Sequence, residues 1–223
     1  MAADTKGLVP IFATPFASLQ LEVADGLNAE LLRLLQSRAT PRYQRRSAPA
    51  SAFTFIGADD LFEWTDEPVQ RLRAELLSAV CAVVGALNRY SESQFDALSM
   101  QARAFFSLIK PNGFIAAATH AMYSWCAVYC VAAPERVSAR FDSGGLRLYE
   151  LRLQTSYLDA GNWNMHAPFQ HGHHIWQPRP GWLAVFPAFH PHEIAINREN
   201  ELIALVTATV RFTHPAPKDA ASP

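Results

Sequence analysis

Cysteine is scarce in this sequence, which contains only Cys81, Cys126 and Cys130 among 223 residues. None of them forms a C-x-x-C pair, and an odd number leaves at least one thiol without an intramolecular partner. This pattern argues against a disulfide framework and favours a reducing compartment, so we expect a cytoplasmic protein.

Neither charge sign dominates the chain. Lysine and arginine together number 19, aspartate and glutamate 20, and the formal net charge is −1. A nucleic-acid partner is therefore not expected, because such proteins present a basic surface. No uninterrupted apolar run approaches the ~18 residues of a transmembrane helix, so we expect no membrane contact. The beginning of the chain also lacks the pattern of a signal peptide.

Half of the residues are hydrophobic, which is enough for one sizeable core. We predict a single domain over residues 1–213 and a frayed tail over 214–223. No feature of the sequence decides between a monomer and a homodimer.

Helical periodicity is confined to the N-terminal part of the chain. Apolar residues at helical spacing predict a short amphipathic helix over Ala24–Arg38 and a longer one over Asp66–Tyr90. Asp66 is a candidate N-cap of the longer helix, and Pro68 lies in its first turn, where a missing N–H is tolerated.

Two flanking segments lack this periodicity. Val9–Leu21 carries two prolines among bulky apolar residues and is predicted to form an opening strand at a sheet edge. Ala39–Ser51 is rich in Pro, Ser and Arg and is predicted to be a mobile loop. Its arginines, Arg42, Arg45 and Arg46, fit either a solvated surface or contact with an anionic ligand.

After Tyr90 the sequence changes to short segments rich in aromatic and β-branched residues. Pro, Gly, Asn and Asp separate them, which is typical of strands in a sandwich or barrel. Helices followed by strands indicate an α+β, mainly β chain, with the helices packed on one face of a jelly-roll-like pair of sheets. The predicted strands lie in SMQARAFFSLIK, YSWCAVYCVAA, GLRLYELRL, HIWQP, WLAVFPAF, HEIAI and ELIALVTATVRF.

Six of the eight histidines fall between His166 and His192. His120 precedes one strong strand and His192 follows another, so the two side chains can converge at the mouth of a barrel. Two histidines and a carboxylate are the ligands of iron(II) oxygenase sites. The alternative is that each histidine is an ordinary surface or half-buried polar residue.

Other histidines and the buried cysteines have ordinary interpretations as well. His171 and His173 would share a face of a strand, either as supplementary ligands or in a solvated loop. Pro191 fixes the phase between His190 and His192, so only one of them is expected to point inward. Cys126 and Cys130 fit small core residues.

Four segments together resemble a small branch of the 2-oxoglutarate/Fe(II)-dependent oxygenase superfamily, over most of the chain. The resemblance implies a double-stranded β-helix (jelly roll) with N-terminal helices packed on one sheet. It also implies iron(II) and 2-oxoglutarate as cofactors and a small molecule as substrate. The segments are LVPIFATPFASLQL, SAFTFIGADDLFEWTDEPVQRLRAELL, THAMYSWCAVYCV and RPGWLAVFPAFHPHEI.

The resemblance assigns His192 and His120 as metal ligands, but the sequence departs from the family pattern at two places. The family's H-x-H reads Ala118-Thr119-His120 here, so one ligand is missing. The family's 2-oxoglutarate arginine falls near Leu202.

Replacements for both missing groups are available in the sequence. Arg211 and Arg198 are the candidates for binding the cofactor carboxylate. The third metal ligand is expected to be His173 or His174, with His173 preferred, ahead of Glu150, Asp142 or water.

Three functions follow. The first is a 2-oxoglutarate-dependent iron oxygenase that hydroxylates or otherwise oxidises a small molecule. The second is an iron enzyme on the same fold that does not use 2-oxoglutarate. The third is a non-catalytic descendant that has lost its metal site.

Overall fold

In the described part of the chain, ten strands form two antiparallel sheets that face each other, with three α-helices beside them. The structure is a computed structural model that describes residues 13–22, 26–47, 52–135, 140–151, 159–161, 164–166, 169 and 172–214. The six-stranded sheet has the order β1-β8-β5-β10-β3-β2, and the four-stranded sheet has the order β4-β9-β6-β7. The strands are β1 (Ala17–Gln20), β2 (Thr54–Ile56), β3 (Ser99–Ile109), β4 (Ile115–Ala118), β5 (Trp125–Ala132), β6 (Leu146–Tyr149), β7 (His173–Trp176), β8 (Trp182–Pro187), β9 (His192–Ile194) and β10 (Ile203–Thr213); the helices are α1 (Leu27–Ser37), α2 (Glu67–Leu87) and α3 (Glu92–Asp96).

The predicted jelly roll with helices on one sheet is confirmed. All seven predicted C-terminal strands form, because their apolar and β-branched residues bury one or both faces. Three short elements were not predicted, namely β2, β4 and α3, since three to five residues carry too little periodicity to be recognised. The opening strand is present as β1 at a sheet edge, and the part of that prediction before residue 13 lies outside the described residues.

The two faces of the six-stranded sheet bury separate cores. Alternate residues of β10, such as Val206 and Ala208, point towards the helices, where they join the buried faces of α1 and α2. The intervening residue Leu205 points towards the four-stranded sheet, as do Cys130 of β5 and Phe186 of β8. The space between the sheets is therefore lined by every second residue of each strand.

Helix α2 has the predicted apolar stripe from Val69 to Val80, but the buried face continues to Val84 instead of Val83 and Leu87, and the ends of the helix also differ from the expectation. Pro68 lies in the first turn, but the Asp66 side chain does not cap the helix. Its two carboxylate oxygens instead accept hydrogen bonds of 2.8 and 2.9 Å from the guanidinium of Arg38, which follows α1. A bidentate pair of this kind ties the two helices together. At the other end the helix stops at Leu87, whose side chain is exposed.

The predicted mobile loop is wrong for its first part. Pro41–Tyr43 forms a turn of 3-10 helix, and Gln44 makes an isolated bridge with Gly57. The Arg45 backbone N–H donates to the carbonyl oxygen of Ile56, and its guanidinium forms an ion pair with Asp59. Long-range contacts of this kind leave no local signal in the sequence. Residues 48–51 lie outside the described part, as do residues 215–223 of the predicted tail.

Candidate metal centre

His120 and His192 lie side by side at one end of the space between the sheets. His120 follows β4 by two residues, and His192 is the first residue of β9, opposite Ala118 of β4. The centroids of the two imidazole rings are 5.2 Å apart. The antiparallel pairing of β4 with β9 therefore brings together two histidines that are far apart in the sequence, as expected.

The contacts of His192 orient its ring and leave one ring nitrogen without a proton. The ring is buried, packs edge-on against Phe186 with a centroid distance of 4.9 Å, and places Nδ1 2.8 Å from the carbonyl oxygen of His190. Because a carbonyl only accepts hydrogen bonds, Nδ1 carries the proton and Nε2 keeps its lone pair. Burial lowers the pKa of His192 to about 4, so the imidazole is neutral near pH 7.

His120 is held in the turn that leads into β5. Its backbone N–H donates a 2.8 Å hydrogen bond to the carbonyl oxygen of Ala188, just after β8, which anchors the turn to the sheet. The side chain is half-buried. Burial lowers the pKa of His120, and the positive charge of Arg45 lowers it further. Both histidines thus present neutral imidazoles, the form that binds metals.

Cys126 is the third potential ligand at this place, and sequence reasoning missed it. One ligand atom from each of His120, Cys126 and His192 lies within 4.8 Å of the others. Cys126 is the second residue of β5 and points between the sheets, where it is fully buried. In the sequence it is one small apolar residue in an apolar strand, so no local signal distinguishes it from Cys130 on the same strand.

Arg45 is the positively charged residue beside this cluster. Its guanidinium carbon lies 4.1 Å from the centroid of the Phe105 ring, and the same ring is 6.3 Å from that of His120. One guanidinium nitrogen binds Asp59, whereas Nε is buried and has no hydrogen-bond partner among the described residues. Arg45 therefore has an unused donor near His120.

The first ligand of the family pattern is absent in structure as well as in sequence. Ala118 is paired with His192 in the register, so a methyl group lies where that pattern has a histidine. The carboxylates considered as replacements lie elsewhere. Asp142 forms an ion pair of 2.6 Å with Arg147. Glu150 follows β6. Burial lowers the pKa of His190, and the negative charge of Glu150 opposes this shift.

The structure does not bring His173 to the other two histidines. His173 and His174 are both exposed on the edge strand β7, but His173 is paired with Tyr149, whereas His174 is paired with Leu148, which is paired in turn with His192. Since paired residues share a face, His174 points inward with His192, and His173 points outward. The expectation that His173 faces the metal site is therefore wrong, because the inward-facing histidine of β7 is its neighbour His174.

Two aromatic rings separate the inward-facing His174 from the cluster. The centroids of the His174 and Phe16 rings are 4.7 Å apart. Phe16 stacks on Phe186, and the Phe186 ring contacts His192. His171 lies outside the described residues, and His190 is buried beside the cluster without belonging to it.

The two predicted arginines lie at different places. Arg198 is exposed beyond the other end of β9 and lines a surface cavity with Arg147 and Glu193, on the outer face of the four-stranded sheet. This position does not fit a cofactor at the histidines. Arg211 is half-buried on β10, on the inward face with Thr209, and donates a 3.0 Å hydrogen bond to Oε1 of Gln101. Its part in cofactor binding stays a prediction.

Comparison with solved structures identifies the fold. A prolyl-4-hydroxylase from Pseudomonas putida has 15% identity over 89% of this chain and 92% of that one, with a TM-score of 0.57. A 2OG-Fe(II) oxygenase family oxidoreductase from Burkholderia pseudomallei has 13% identity, coverages of 91% and 88%, and a TM-score of 0.55. SnoK, a non-heme alpha-ketoglutarate-dependent carbocyclase from nogalamycin biosynthesis, has 8% identity, coverages of 94% and 85%, and a TM-score of 0.60.

The chain therefore has the fold of the 2-oxoglutarate/Fe(II) oxygenases, and the predicted resemblance is confirmed at that level. No family model matches the sequence, and no curated protein matches it. Within the described residues, no helix has the length and apolarity needed to cross a membrane.

Proposed function

We propose that this protein is a non-heme iron(II) oxygenase that uses 2-oxoglutarate to hydroxylate or otherwise oxidise a small molecule. The observation that carries the proposal is the convergence of His120 and His192 at one end of the space between the sheets. The fold is the one that 2-oxoglutarate/Fe(II) oxygenases use, which supports the same assignment. Fold alone does not establish an activity, so the histidine pair is the decisive feature.

The donor set fits a divalent first-row metal. Imidazole nitrogen is a common ligand for iron, and both rings are neutral for the reasons given above. The hydrogen bond from His192 Nδ1 to His190 orients the ring and leaves Nε2 for the metal. When bound there, iron(II) supplies the oxidising chemistry with O₂. The protein's own part is to hold the two imidazoles and to keep water away with the rings of Phe186 and Phe105.

Among the described residues, one side of the histidines is closed to small molecules. Beyond Cys126 the space between the sheets is filled with apolar side chains, none more than 3% exposed: Ile109, Val128, Cys130, Leu146, Ile203 and Leu205. A carboxylate cannot bind in that core without an unpaired buried charge. An acidic cosubstrate would therefore bind on the side of Phe105 and Arg45.

Arg45 is the residue that we assign to the cosubstrate carboxylate. Its guanidinium lies against the Phe105 ring, which packs near His120, and its Nε has no hydrogen-bond partner among the described residues. A guanidinium can bind Asp59 through one nitrogen and a ligand carboxylate through others. At the position that matches the family arginine, Leu202 packs instead against the helix-side core.

The test begins with metal content. The protein is prepared without oxygen and loaded with iron(II), and bound iron is measured for the wild type, His120→Ala, His192→Ala and His173→Ala. We expect about one iron per wild-type chain and little in the first two variants. The outward-facing His173→Ala variant is the matched control and should keep its iron. Full iron binding by both His120→Ala and His192→Ala would overturn the proposal.

Oxygen uptake by the loaded protein then decides how 2-oxoglutarate is used. Uptake that requires 2-oxoglutarate, and that weakens in Arg45→Gln, supports the proposed function. The absence of a donor at Ala118 favours a second candidate, an iron enzyme that does not use 2-oxoglutarate. Uptake that is independent of 2-oxoglutarate would support that candidate, and failure of the wild type to bind iron would indicate the non-catalytic descendant. The small-molecule class of the substrate and the cytoplasmic location stay predictions, and the choice between a monomer and a homodimer stays open.

A further inference from the structure

We propose that Cys126 is the third protein ligand of the metal held by His120 and His192, which makes the site a two-nitrogen, one-sulfur centre. The inference rests on the metal site of the proposed function and goes beyond it, because it assigns a thiolate where the related pattern has an imidazole or a carboxylate.

The first argument is convergence from three independent segments. His120 comes from the turn after β4, Cys126 from the start of β5 and His192 from the start of β9, yet one donor atom of each lies within 4.8 Å of the others. This limit is close to the distance of up to about 4.6 Å between two donors around one ion with bonds of about 2.0–2.3 Å. A modest movement of side chains would bring the donors into contact with the metal.

The second argument is that Cys126 is held in place from both sides. It is paired with Phe186 of β8 and with Thr209 of β10, so its side chain has the same inward direction as Phe186. The Phe186 ring also packs against His192. The same contacts therefore position the sulfur and the second imidazole relative to each other.

The third argument concerns the carboxylates that might compete. Asp142 is paired with Arg147 on the outer face of the four-stranded sheet, and Asp59 is paired with Arg45. Within the part of the chain that the structure describes, the cluster of His120, Cys126 and His192 contains no carboxylate. The donor that the fold supplies in its place is a thiol.

The chemistry of binding is an exchange of a proton for a metal ion. The sulfur–hydrogen bond of Cys126 breaks, a sulfur–metal bond forms, and the proton passes to the buffer. Thiolate is a softer ligand than carboxylate, so the site should favour zinc, cobalt(II) or iron(II) over magnesium or calcium. No change in oxidation state is involved.

Cys130 provides a matched control. It lies on the same strand and the same face as Cys126, is equally buried, and is roughly 13 Å further along the strand. A substitution of either thiol by serine makes the same chemical change in a similar environment. Only Cys126 belongs to the cluster with the histidines.

The experiment is a cobalt(II) titration of the full chain without oxygen, followed by absorption spectroscopy. The wild type and Cys130→Ser should show a sulfur-to-cobalt charge-transfer band in the near ultraviolet. Cys126→Ser should lack this band and bind cobalt at least about tenfold more weakly. Unchanged affinity and an unchanged band in Cys126→Ser would overturn the inference.

A second measurement needs no substitution. X-ray absorption of the cobalt-loaded wild type should show one sulfur neighbour at about 2.3 Å beside nitrogen neighbours. Nitrogen and oxygen neighbours alone would overturn the assignment of Cys126 and leave the two-histidine site intact. Failure of the wild type to bind cobalt or iron would overturn both this inference and the proposed function.

Discussion

The two ends of the space between the sheets have similar construction and opposite chemistry. At one end His120, Cys126 and His192 bring polar donors together. At the other end Ile203 and Leu205 fill the same space with hydrocarbon. Both ends use inward-facing residues of neighbouring strands, so the difference lies in which side chains those positions carry. The comparison shows how one layer can contain a binding site and a stabilising core without a boundary between domains.

The largest expected effect on stability comes from the apolar end. Leu205→Ala removes a fully buried side chain and should lower the free energy of unfolding by about 2–5 kcal/mol. The metal bound per folded chain should stay unchanged, because the cavity forms away from the histidines. Chemical denaturation and metal analysis of the same sample check both statements. Loss of metal from a fully folded Leu205→Ala protein would show that the two ends are not independent.

The polar end should respond to acid in a metal-free sample. The pKa of His192 is about 4 in the folded chain and about 6.5 when the chain is unfolded. Between these pH values the unfolded chain binds a proton that the folded chain does not. Stability should therefore fall as the pH drops from about 6.5 to about 4, by up to about 3 kcal/mol, and this contribution should level off below pH 4.

Burial also lowers the pKa values of His120, His174 and His190, which adds to that fall in the same direction. Unfolding of the wild type and of His192→Gln, measured from pH 4 to 7, separates the part due to His192. The variant should show a flatter dependence on pH. Parallel curves for the two proteins would contradict the assigned burial of this imidazole.

The smallest expected effect lies at the rim of the polar end. Arg45→Gln removes a positive charge that lowers the pKa of His120, so this pKa should rise. Asp59→Asn removes a negative charge and should shift the same pKa in the opposite direction. Titration of the His120 ring by NMR measures both shifts, and Arg198→Gln, which changes an exposed arginine beyond the other end of β9, serves as a distant control. Shifts of the same sign in the first two variants would contradict the charge arrangement.

Several elements of the structure could be predicted from local sequence patterns. The apolar stripe of α2 and the dense apolar segments of β5, β8 and β10 predicted their own structure, because helical or extended geometry repeats within each segment. The positions of His120 and His192 beside two of those strands were also visible. Short elements such as β4 were missed, although β4 leads directly to His120.

The sequence by itself determined the strong strands and the two histidines at their ends, since these depend on local patterns, and the order of helices and strands indicated the class of fold. Only the tertiary structure decided that Cys126 faces the histidines, that Arg45 approaches them, and that His173 points away. The physical reason is that alternation separates the two faces of a strand without saying which face is inward. Inward direction follows from pairing over long distances, of β5 with β8 and of β6 with β7 and β9.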